Sequence, residues 1–264
     1  MRKKYETLHV ETIDEHILLV MYDRPEVRNA KNTQMGIDQR DLFGSLYVDL
    51  AGHRVVVLTG RGEKAFSAGG DLKERDGMTD EDWQRQHAIF EQAALALRSC
   101  PIPVIGAING AAFGGGCETA LNVDFCYAAT TARFALTEIT LGIIPGTMGT
   151  QNLPNAMGER RAKEIIFTGR PFTAQEAFEW GLVNKVCEPD TLMDDTLETA
   201  RRIAANAPLA VQRAKRATTV ATQVDRATGY QFELEAYNRL VGTEDRMEGV
   251  RAFNEKRKPD FKGK

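Results

Sequence analysis

Three consecutive glycines precede a glutamate in the middle of the chain, and these residue types are suited to binding an oxygen that becomes negative. Within residues 109–122, Gly114, Gly115 and Gly116 follow an apolar run and open a predicted short helix that carries Glu118. Glycines permit a tight turn and let a ligand approach the backbone. The first amides of a helix have no partner within the helix and lie at the positive end of its dipole. The alternative is a glycine-tightened turn between a strand and a helix with a solvated glutamate.

A second glycine turn and a second glutamate could complete such a site. Gly70 follows Ala68 and Gly69 directly before a predicted helix, and Glu138 precedes a loop that contains Gly146. Two backbone N–H groups aimed at one point form an oxyanion hole, which suits a carbonyl oxygen that gains charge, as in an enolate. Two carboxylates beside a substrate can act as general base and general acid on one water molecule. The alternatives are an ordinary turn at Gly70 and a solvated carboxylate at Glu138.

Other sites that use glycines or a nucleophile fit the sequence less well. No Gly-Lys-Ser/Thr follows the three glycines, and their spacing does not match a dinucleotide-binding G-x-G-x-x-G after the first strand. No serine lies in a Gly-x-Ser-x-Gly context. Cys117 lies at a helix start, where the pKa of a thiol is lowered, but no histidine is near it in sequence. A phosphate loop, a dinucleotide site and a nucleophilic residue are therefore not expected.

Composition is that of an ordinary globular protein. The chain has 264 residues, 42% hydrophobic and 27% charged, with a net charge of −3, so no general attraction to nucleic acid is expected. No apolar run approaches the roughly 18 residues that indicate a transmembrane helix, and residues 1–7 lack the apolar core of a secretion signal. Four cysteines without paired spacing predict free thiols in a reducing, cytoplasmic compartment, and four unclustered histidines predict no metal site.

The hydrophobic pattern predicts an α/β core to about residue 190, followed by helices. Repeated strand–helix order favours a parallel sheet. The predicted strands cover residues 7–12 and 17–21 as a hairpin, then 55–60, 103–108, 123–129 and 132–136. The predicted helices cover residues 33–51, 83–98, 159–167, 174–180, 190–206, 208–222, 225–241 and 243–256. Residues 72–82 are strongly charged and predict a mobile or surface segment.

Several short motifs occur in an order and spacing that is specific when they are taken together. They are Asp23-Arg24-Pro25 with Asn29-Ala30, residues 64–72, residues 109–118, Glu138 with residues 141–146, Gly149-Thr150-Gln151, Thr168-Gly169-Arg170, residues 180–183 and residues 253–259. On these motifs the chain resembles the enoyl-CoA hydratase/isomerase superfamily, the crotonase family, essentially from end to end.

The resemblance implies a fold and an assembly. The fold is the α/β crotonase-like spiral of ββα units with a C-terminal helical trimerisation region. Residues 1–190 would form the spiral core with the acyl-CoA site, and residues 191–264 would form the helical region for oligomerisation and for covering the active site. A homotrimer or a dimer of trimers is expected.

The resemblance also implies an activity, namely hydration of a 2-enoyl-CoA thioester. The backbone amides of Gly70 and Gly115 would hold the thioester oxygen. Glu118 would activate water and Glu138 would deliver a proton to C2. Many relatives with other activities lack one or both glutamates, so their joint presence favours a hydratase. No cofactor is implied, because coenzyme A is part of the substrate.

Residues that contact the substrate and its coenzyme A are implied at seven further positions. These are Arg28, Ala30, Phe66, Ala68, Asp71, Leu72 and Gly146. Arg28, Lys31 and Lys73 are candidates for holding the phosphates, or else are solvated surface charges. Lys31 stands where the family usually has leucine, and Thr147 and Met148 stand where small residues are common. These departures concern the coenzyme A contacts and the shape of the acyl pocket.

The alternative functions are other reactions on an acyl-CoA and the binding of RNA. The same enolate could serve an isomerase, a carnitinyl-CoA-type dehydratase or a C–C lyase acting on an acyl-CoA. Some relatives bind RNA, but this chain is slightly acidic, and its densest basic run is the short Lys256-Arg257-Lys258. The sequence therefore favours a 2-enoyl-CoA hydratase over these alternatives.

Overall fold

The computed structural model describes residues 4–264. Residues 1–3, which belong to the predicted core and to the segment considered for a secretion signal, lie outside the described residues. The strands are β1 (Leu8–Ile13), β2 (Ile17–Tyr22), β3 (Val55–Gly60), β4 (Ala65–Ser67), β5 (Val104–Ile108), β6 (Ala111–Phe113), β7 (Phe125–Ala129), β8 (Arg133–Ala135), β9 (Phe172–Thr173) and β10 (Lys185–Cys187). The helices are α1 (Thr33–Val48), α2 (Leu72–Arg75), α3 (Asp80–Arg98), α4 (Gly115–Asn122), α5 (Gly149–Met157), α6 (Glu159–Thr168), α7 (Ala174–Glu179), α8 (Leu192–Ala204), α9 (Pro208–Ala221), α10 (Arg226–Val241) and α11 (Glu244–Asn254). Short 3-10 helices cover Pro25–Val27 and Glu138–Leu141. Within residues 4–264, no helix is both long enough and apolar enough to cross a bilayer.

A six-stranded sheet with the order β1-β2-β3-β5-β7-β10 forms the centre of the fold. β1 and β2 make the predicted antiparallel hairpin, and the other neighbours pair in parallel. β3 is buried along its whole length because both faces of the sheet are covered. Val56 packs in the cluster that contains Phe43 of α1, whereas Val57 packs in the cluster that contains Ala200 of α8. The predicted α/β class and parallel sheet are confirmed.

The C-terminal helices divide between the sheet and the surface. α8 lies on the sheet and contributes Leu192, Ala200 and Ala204 to its buried face. α9 and α10 pack against each other. The predicted division of the chain at residue 190 stays a prediction, although α8, which follows it, is part of the packed core.

A second, four-stranded sheet with the order β4-β6-β8-β9 carries the glycine turns. β4 and β6 pair in parallel and end directly before the segments that contain Gly69 and Gly114. The sequence predicts turns here but not these strands, because three residues are too few to show a period of two. The prediction also lacks α5 and the short strands β9 and β10, which separate the helices after residue 159.

Two glycines allow the two turns to meet. Gly116 of α4 lies so close to β4 that a Cβ atom at this position would overlap the carbonyl oxygen of Ser67. Gly69 has a φ of +87°, and a Cβ atom there would lie 2.7 Å from the carbonyl oxygen of Phe113. Positive φ is costly for residues with a side chain. Glycine is therefore required at both positions for α4 to pack against β4.

Substitution of Gly116 by alanine is expected to destabilise the fold. Because the added methyl group meets backbone rather than a flexible side chain, α4 must shift, at a cost of about 1–3 kcal/mol in unfolding free energy. The matched control is Gly44→Ala in α1, where no atom lies within 4 Å of the added Cβ. The control should be stabilised by about 0.5–1 kcal/mol, since alanine favours the helix. Denaturant unfolding measures both, and equal stability of the two variants would contradict the packing described.

Candidate active site

A cavity of about 750 Å³ lies where the two glycine turns meet. Gly70 and Gly115 line it, and Glu118 and Glu138 lie in its wall. The structure thus brings together the four residues that the sequence predicts as the reactive centre. Apolar side chains of α1, α3 and the loop after Glu138 form much of the remaining wall, among them Met35, Trp83, Phe90, Leu97, Leu141 and Ile144.

The backbone N–H of Gly70 points away from the segment that contains Lys31. Lys31 and Gly70 form an isolated parallel bridge, in which Lys31 N–H donates to Gly69 O at 2.7 Å and Asp71 N–H donates to Lys31 O at 2.9 Å. In a parallel bridge, one residue bonds to the two neighbours of the residue opposite it. Lys31 therefore bonds to Gly69 and Asp71, and the N–H of Gly70 between them points away from Lys31. Among residues 4–264, no acceptor receives the Gly70 N–H.

The backbone N–H of Gly115 is the first amide of α4. Gly114 N–H donates to Ala135 O at 2.8 Å, and Glu118 N–H donates to Gly114 O at 3.0 Å, but no acceptor for the Gly115 N–H exists in the described part of the chain. Such a first-turn amide has no partner within its own helix. A Cβ atom at Gly69 would lie 3.4 Å from Gly115 N, so the two turns are in direct contact. The cavity therefore receives an unpaired donor from each turn.

Glu118 is held by the start of α5. Its Oε1 accepts Thr147 N–H at 2.7 Å and Gly149 N–H at 2.9 Å, and its Oε2 accepts the Thr147 hydroxyl at 2.6 Å. Met148, between Thr147 and Gly149, has a left-handed φ of 76°. The N–H groups on either side of Met148 both bind Glu118 Oε1. All three partners donate, so both oxygens of the Glu118 side chain act as acceptors in this arrangement.

Glu138 lies in a different environment. The residue is only 9% exposed, and its Oε2 is buried with no hydrogen-bond partner among the described residues. Burial, and after it the negative charge of Glu118, raises the pKa of Glu138 to about 7. Its Oε1 would lie 3.3 Å from a Cβ atom at Gly114, which places the carboxyl group beside the second glycine turn. One cavity therefore contains a glutamate bound by three donors, Glu118, and a buried glutamate with a raised pKa, Glu138.

The predicted contacts to coenzyme A divide into two groups. The residues that line the cavity are Ala68, Leu72 and Gly146. The residues outside the described cavity lining are Arg28, Ala30, Phe66 and Asp71. Contact of any of them with coenzyme A stays a prediction.

Two residues of the second group have structural contacts. The Asp71 carboxylate accepts from Arg24 Nη1 at 3.0 Å and caps α2 by accepting from the backbone N–H groups of Lys73 and Glu74. Phe66 is fully buried, with its ring centroid 5.5 Å from that of Tyr22. Phe66 before Gly70 and Asp71 after it therefore both hold the segment that contains Gly70.

Sequence reasoning missed the residues that control Glu118. Thr147 stands out in the sequence only as a departure from small residues, yet it supplies two of the three donors to the carboxylate. A threonine two residues before a helix start is a signal that could have identified it, because such positions place donors and acceptors at the first turn.

Lys31 lines the cavity and is not a solvated surface charge. Its Nζ donates to Thr119 Oγ1 and lies 5.1 Å from the centroid of the fully buried Tyr22 ring. Burial lowers the pKa of Lys31 to about 8, against the opposing effect of Glu118. The ammonium group is therefore protonated at neutral pH and lies inside the cavity wall.

The environment of Glu138 should make stability depend on pH. A carboxyl group with a pKa of about 7 in the folded state and 4.5 when unfolded favours folding below pH 4.5, and this contribution is lost as the pH rises through 7. Relative to Glu138→Gln, the protein should therefore lose about 3 kcal/mol of stability between pH 4 and pH 8. Urea unfolding at one protein concentration measures this difference, and a difference independent of pH would contradict it.

Comparison with known proteins identifies the family of this chain. Residues 12–264 match the family model described as enoyl-CoA hydratase/isomerase. The chain is 39% identical over 242 residues to the short-chain-enoyl-CoA hydratase of Clostridium acetobutylicum, covering 92% of each chain. It is 35% identical over 257 residues to the crotonyl-CoA hydratase of Syntrophomonas wolfei, covering 97% of this chain and 98% of that one. The crystal structure of an enoyl-CoA hydratase from Bacillus anthracis superposes with a TM-score of 0.96 at 43% identity, covering 98% of this chain and 100% of that one. The chain therefore belongs to the enoyl-CoA hydratase/isomerase family.

Proposed function

We propose that this protein is a 2-enoyl-CoA hydratase, a hydro-lyase that adds water across the C2=C3 bond of an acyl-CoA thioester. The observation that carries the proposal is the pair Glu118 and Glu138, which share one cavity in unlike environments: three donors bind the oxygens of Glu118, and burial raises the pKa of Glu138 to about 7. A reaction that removes one proton from water and gives another to carbon needs a base and an acid at the same time. The family membership supports the same reaction class.

The amides of Gly70 and Gly115 stabilise the enolate in this proposal. The thioester oxygen accepts both N–H groups, which have no other acceptor among residues 4–264. As the water oxygen bonds to C3, the electrons of the double bond move toward the thioester and charge develops on its oxygen. Donors held in place before the reaction stabilise that charge without reorganisation, and one such donor is worth roughly 10²–10³ in rate.

The two glutamates move the protons. Ionised Glu118 removes a proton from water as the oxygen attacks C3, and protonated Glu138 gives its proton to C2. The product is a 3-hydroxyacyl-CoA, with Glu118 now protonated and Glu138 ionised. One proton exchanged with solvent restores the starting state. No cofactor takes part in the proposed reaction, because coenzyme A belongs to the substrate.

The coenzyme A portion is proposed to lie along two neighbouring segments, residues 28–30 and 66–72. Ala68 N–H donates to Arg28 O at 3.0 Å, which holds the two segments side by side at the cavity. Ala68, Leu72 and Gly146 are proposed to contact the substrate from the cavity lining. Arg28, Ala30, Phe66 and Asp71 are proposed to contact or position it from the flanking segments.

A homotrimer or a dimer of trimers is part of the proposal. α10 and α11 expose apolar side chains, including Tyr237 (66% exposed) and Phe253 (84% exposed). The other exposed apolar residues of these two helices are Tyr230, Val241, Met247 and Val250. Exposed apolar patches of this kind mark surfaces that bind other protein surfaces. Further copies of this chain are proposed to cover them.

A cytoplasmic location is proposed on the basis of the thiols. Cys100, Cys117, Cys126 and Cys187 are all free and buried. Free cysteines are usual in proteins of reducing compartments. With its slightly acidic charge, the protein is not proposed to bind nucleic acid.

Neutral replacements of the two glutamates should abolish most activity. Glu118→Gln removes the base, and Glu138→Gln leaves an amide that cannot deliver a proton, so each should lower kcat on crotonyl-CoA by about 10²–10⁴. Loss of the conjugated enoyl absorbance measures turnover. Glu198→Gln on the exposed surface of α8 is the matched control and should keep full activity.

The same assay separates the hydratase from other reactions of the family. If the unmodified protein hydrates no short, medium or branched enoyl-CoA, the proposal fails and an isomerase, dehydratase or C–C lyase takes its place. A glutamine variant with near-normal turnover would remove that glutamate from the catalytic pair.

The proposed assembly predicts a defined mass in solution. Light scattering coupled to size exclusion should give three or six times the chain mass of 29.3 kDa. The double variant Tyr237→Glu with Phe253→Glu should shift the mass toward the monomer, because charges oppose burial of the apolar surface. Val48→Glu, at an 86% exposed position on α1, is the control and should leave the mass unchanged. A monomeric unmodified protein would overturn the proposed assembly.

A further inference from the structure

A lysine ammonium group forms part of the cavity wall close to the reactive centre. The Lys31 side chain passes Gly115, with Cδ 3.9 Å from the position of a Cβ atom there. Its Nζ reaches Thr119 Oγ1 one turn further along α4 and lies over the Tyr22 ring. Thr119 Oγ1 itself donates to Gly115 O at 2.8 Å, so it is positioned as an acceptor for the ammonium. A cation is thus fixed beside the second glycine turn.

A guanidinium group lies beside the first glycine turn. The Cζ of Arg75 would be 3.4 Å from a Cβ atom at Gly70, and it lies 4.2 Å from the centroid of the Trp83 ring. Its Nε donates to Gln86 Oε1 at 2.8 Å. Arg75, like Lys31, lines the cavity.

Neither cation has a carboxylate within 4 Å in the part of the chain that the structure describes. The acidic group that acts on Lys31 through its charge is Glu118, whose oxygens are already bound by Thr147 and Gly149. The acidic group that acts on Arg75 through its charge is Glu74. A further carboxylate in the cavity lining, that of Glu91, lies 3.2 Å from His87 Nε2, and most of the other lining groups are apolar side chains and glycines. Lys31 and Arg75 are therefore cationic residues of the cavity lining that have no ion-pair partner within 4 Å among the described residues.

We propose that the acyl group of the physiological substrate carries a second carboxylate, bound by Lys31 and assisted by Arg75. This inference rests on the proposed hydratase function and names the substrate class, a 2-enoyl-CoA with an acidic group at its far end. The carboxylate would accept a charge-assisted hydrogen bond from Lys31 Nζ, which is stronger than a bond between neutral groups.

Other acyl groups match this wall less well. A purely apolar chain would remove water from a cation without providing an acceptor, which is costly. A cationic chain would be repelled by Lys31 and Arg75. The phosphates of coenzyme A are an alternative source of negative charge, but Lys31 Nζ contacts the fully buried Tyr22 ring and the α4 residue that follows Glu118, so it lies at the acyl end. The geometry points to an anion on the acyl group.

The test compares two substrates that differ in charge at nearly constant shape. They are pent-2-enedioyl-CoA, which ends in a carboxylate, and 5-methylhex-2-enoyl-CoA, in which an isopropyl group replaces that carboxylate. The ratio of their kcat/KM values should favour the diacid by about tenfold or more in the unmodified protein.

Removal of the lysine charge should change that ratio. Lys31→Met keeps the length of the side chain, and it should lower the preference for the diacid by about 10- to 100-fold. Lys31→Arg keeps the charge and should retain a preference for the diacid, while Arg75→Gln should lower the ratio less than Lys31→Met. Lys163→Met, an exposed lysine on α6, is the matched control and should leave the ratio unchanged.

The outcomes separate this inference from the proposed function. Hydration of the isopropyl substrate with equal or greater kcat/KM overturns the inference and leaves the hydratase in place. A Lys31→Met variant that affects both substrates equally overturns it as well. If no enoyl-CoA is hydrated, the proposed function fails and the inference fails with it. If a variant does not fold, the ratio of the kcat/KM values of the two substrates, measured on the unmodified protein, tests the inference by itself.

Discussion

The contact between two glycine turns is the constraint on which the rest of the site depends. β4 and β6 lie side by side, and the absence of side chains at Gly69 and Gly116 lets α4 approach the end of β4 closely. This packing fixes the backbone at Gly70 and Gly115, which line the cavity and whose N–H groups have no acceptor within residues 4–264. Because the donors are backbone groups of packed elements, their positions are set by folding and not by side-chain rotamers.

The second constraint is the difference between the environments of two glutamate side chains, Glu118 and Glu138. The start of α5 surrounds Glu118 with donors, whereas burial, and after it the charge of Glu118, raises the pKa of Glu138 to about 7. Environments that separate the protonation states of two carboxyl groups allow one to act as base while the other acts as acid. The buried Glu138 reduces stability near neutral pH, as is common where function requires an unfavourable group.

The sequence predicts the larger elements and the proposed reactive residues, but not the contacts that surround these residues. Apolar runs identify β3 and β5, and the glycine motifs identify both turns, because these signals are local. β4 and β6 are too short to show a period. The bonds from Thr147 to Glu118 and from Lys31 to Thr119 join residues 29 and 88 positions apart. Such contacts depend on the completed fold, so the unlike environments of the two glutamates and the burial of Lys31 become visible only in the structure.

The position of the protons in the product tests the central claim most directly. Hydration of crotonyl-CoA in D₂O, followed by NMR of the product, reports where solvent hydrogen enters. Action of Glu118 and Glu138 from one cavity predicts a 3-hydroxyacyl-CoA with one deuterium at C2, on the same face as the hydroxyl group at C3. Deuterium at C4, or loss of the enoyl absorbance without a 3-hydroxyl group, would contradict hydration by this pair.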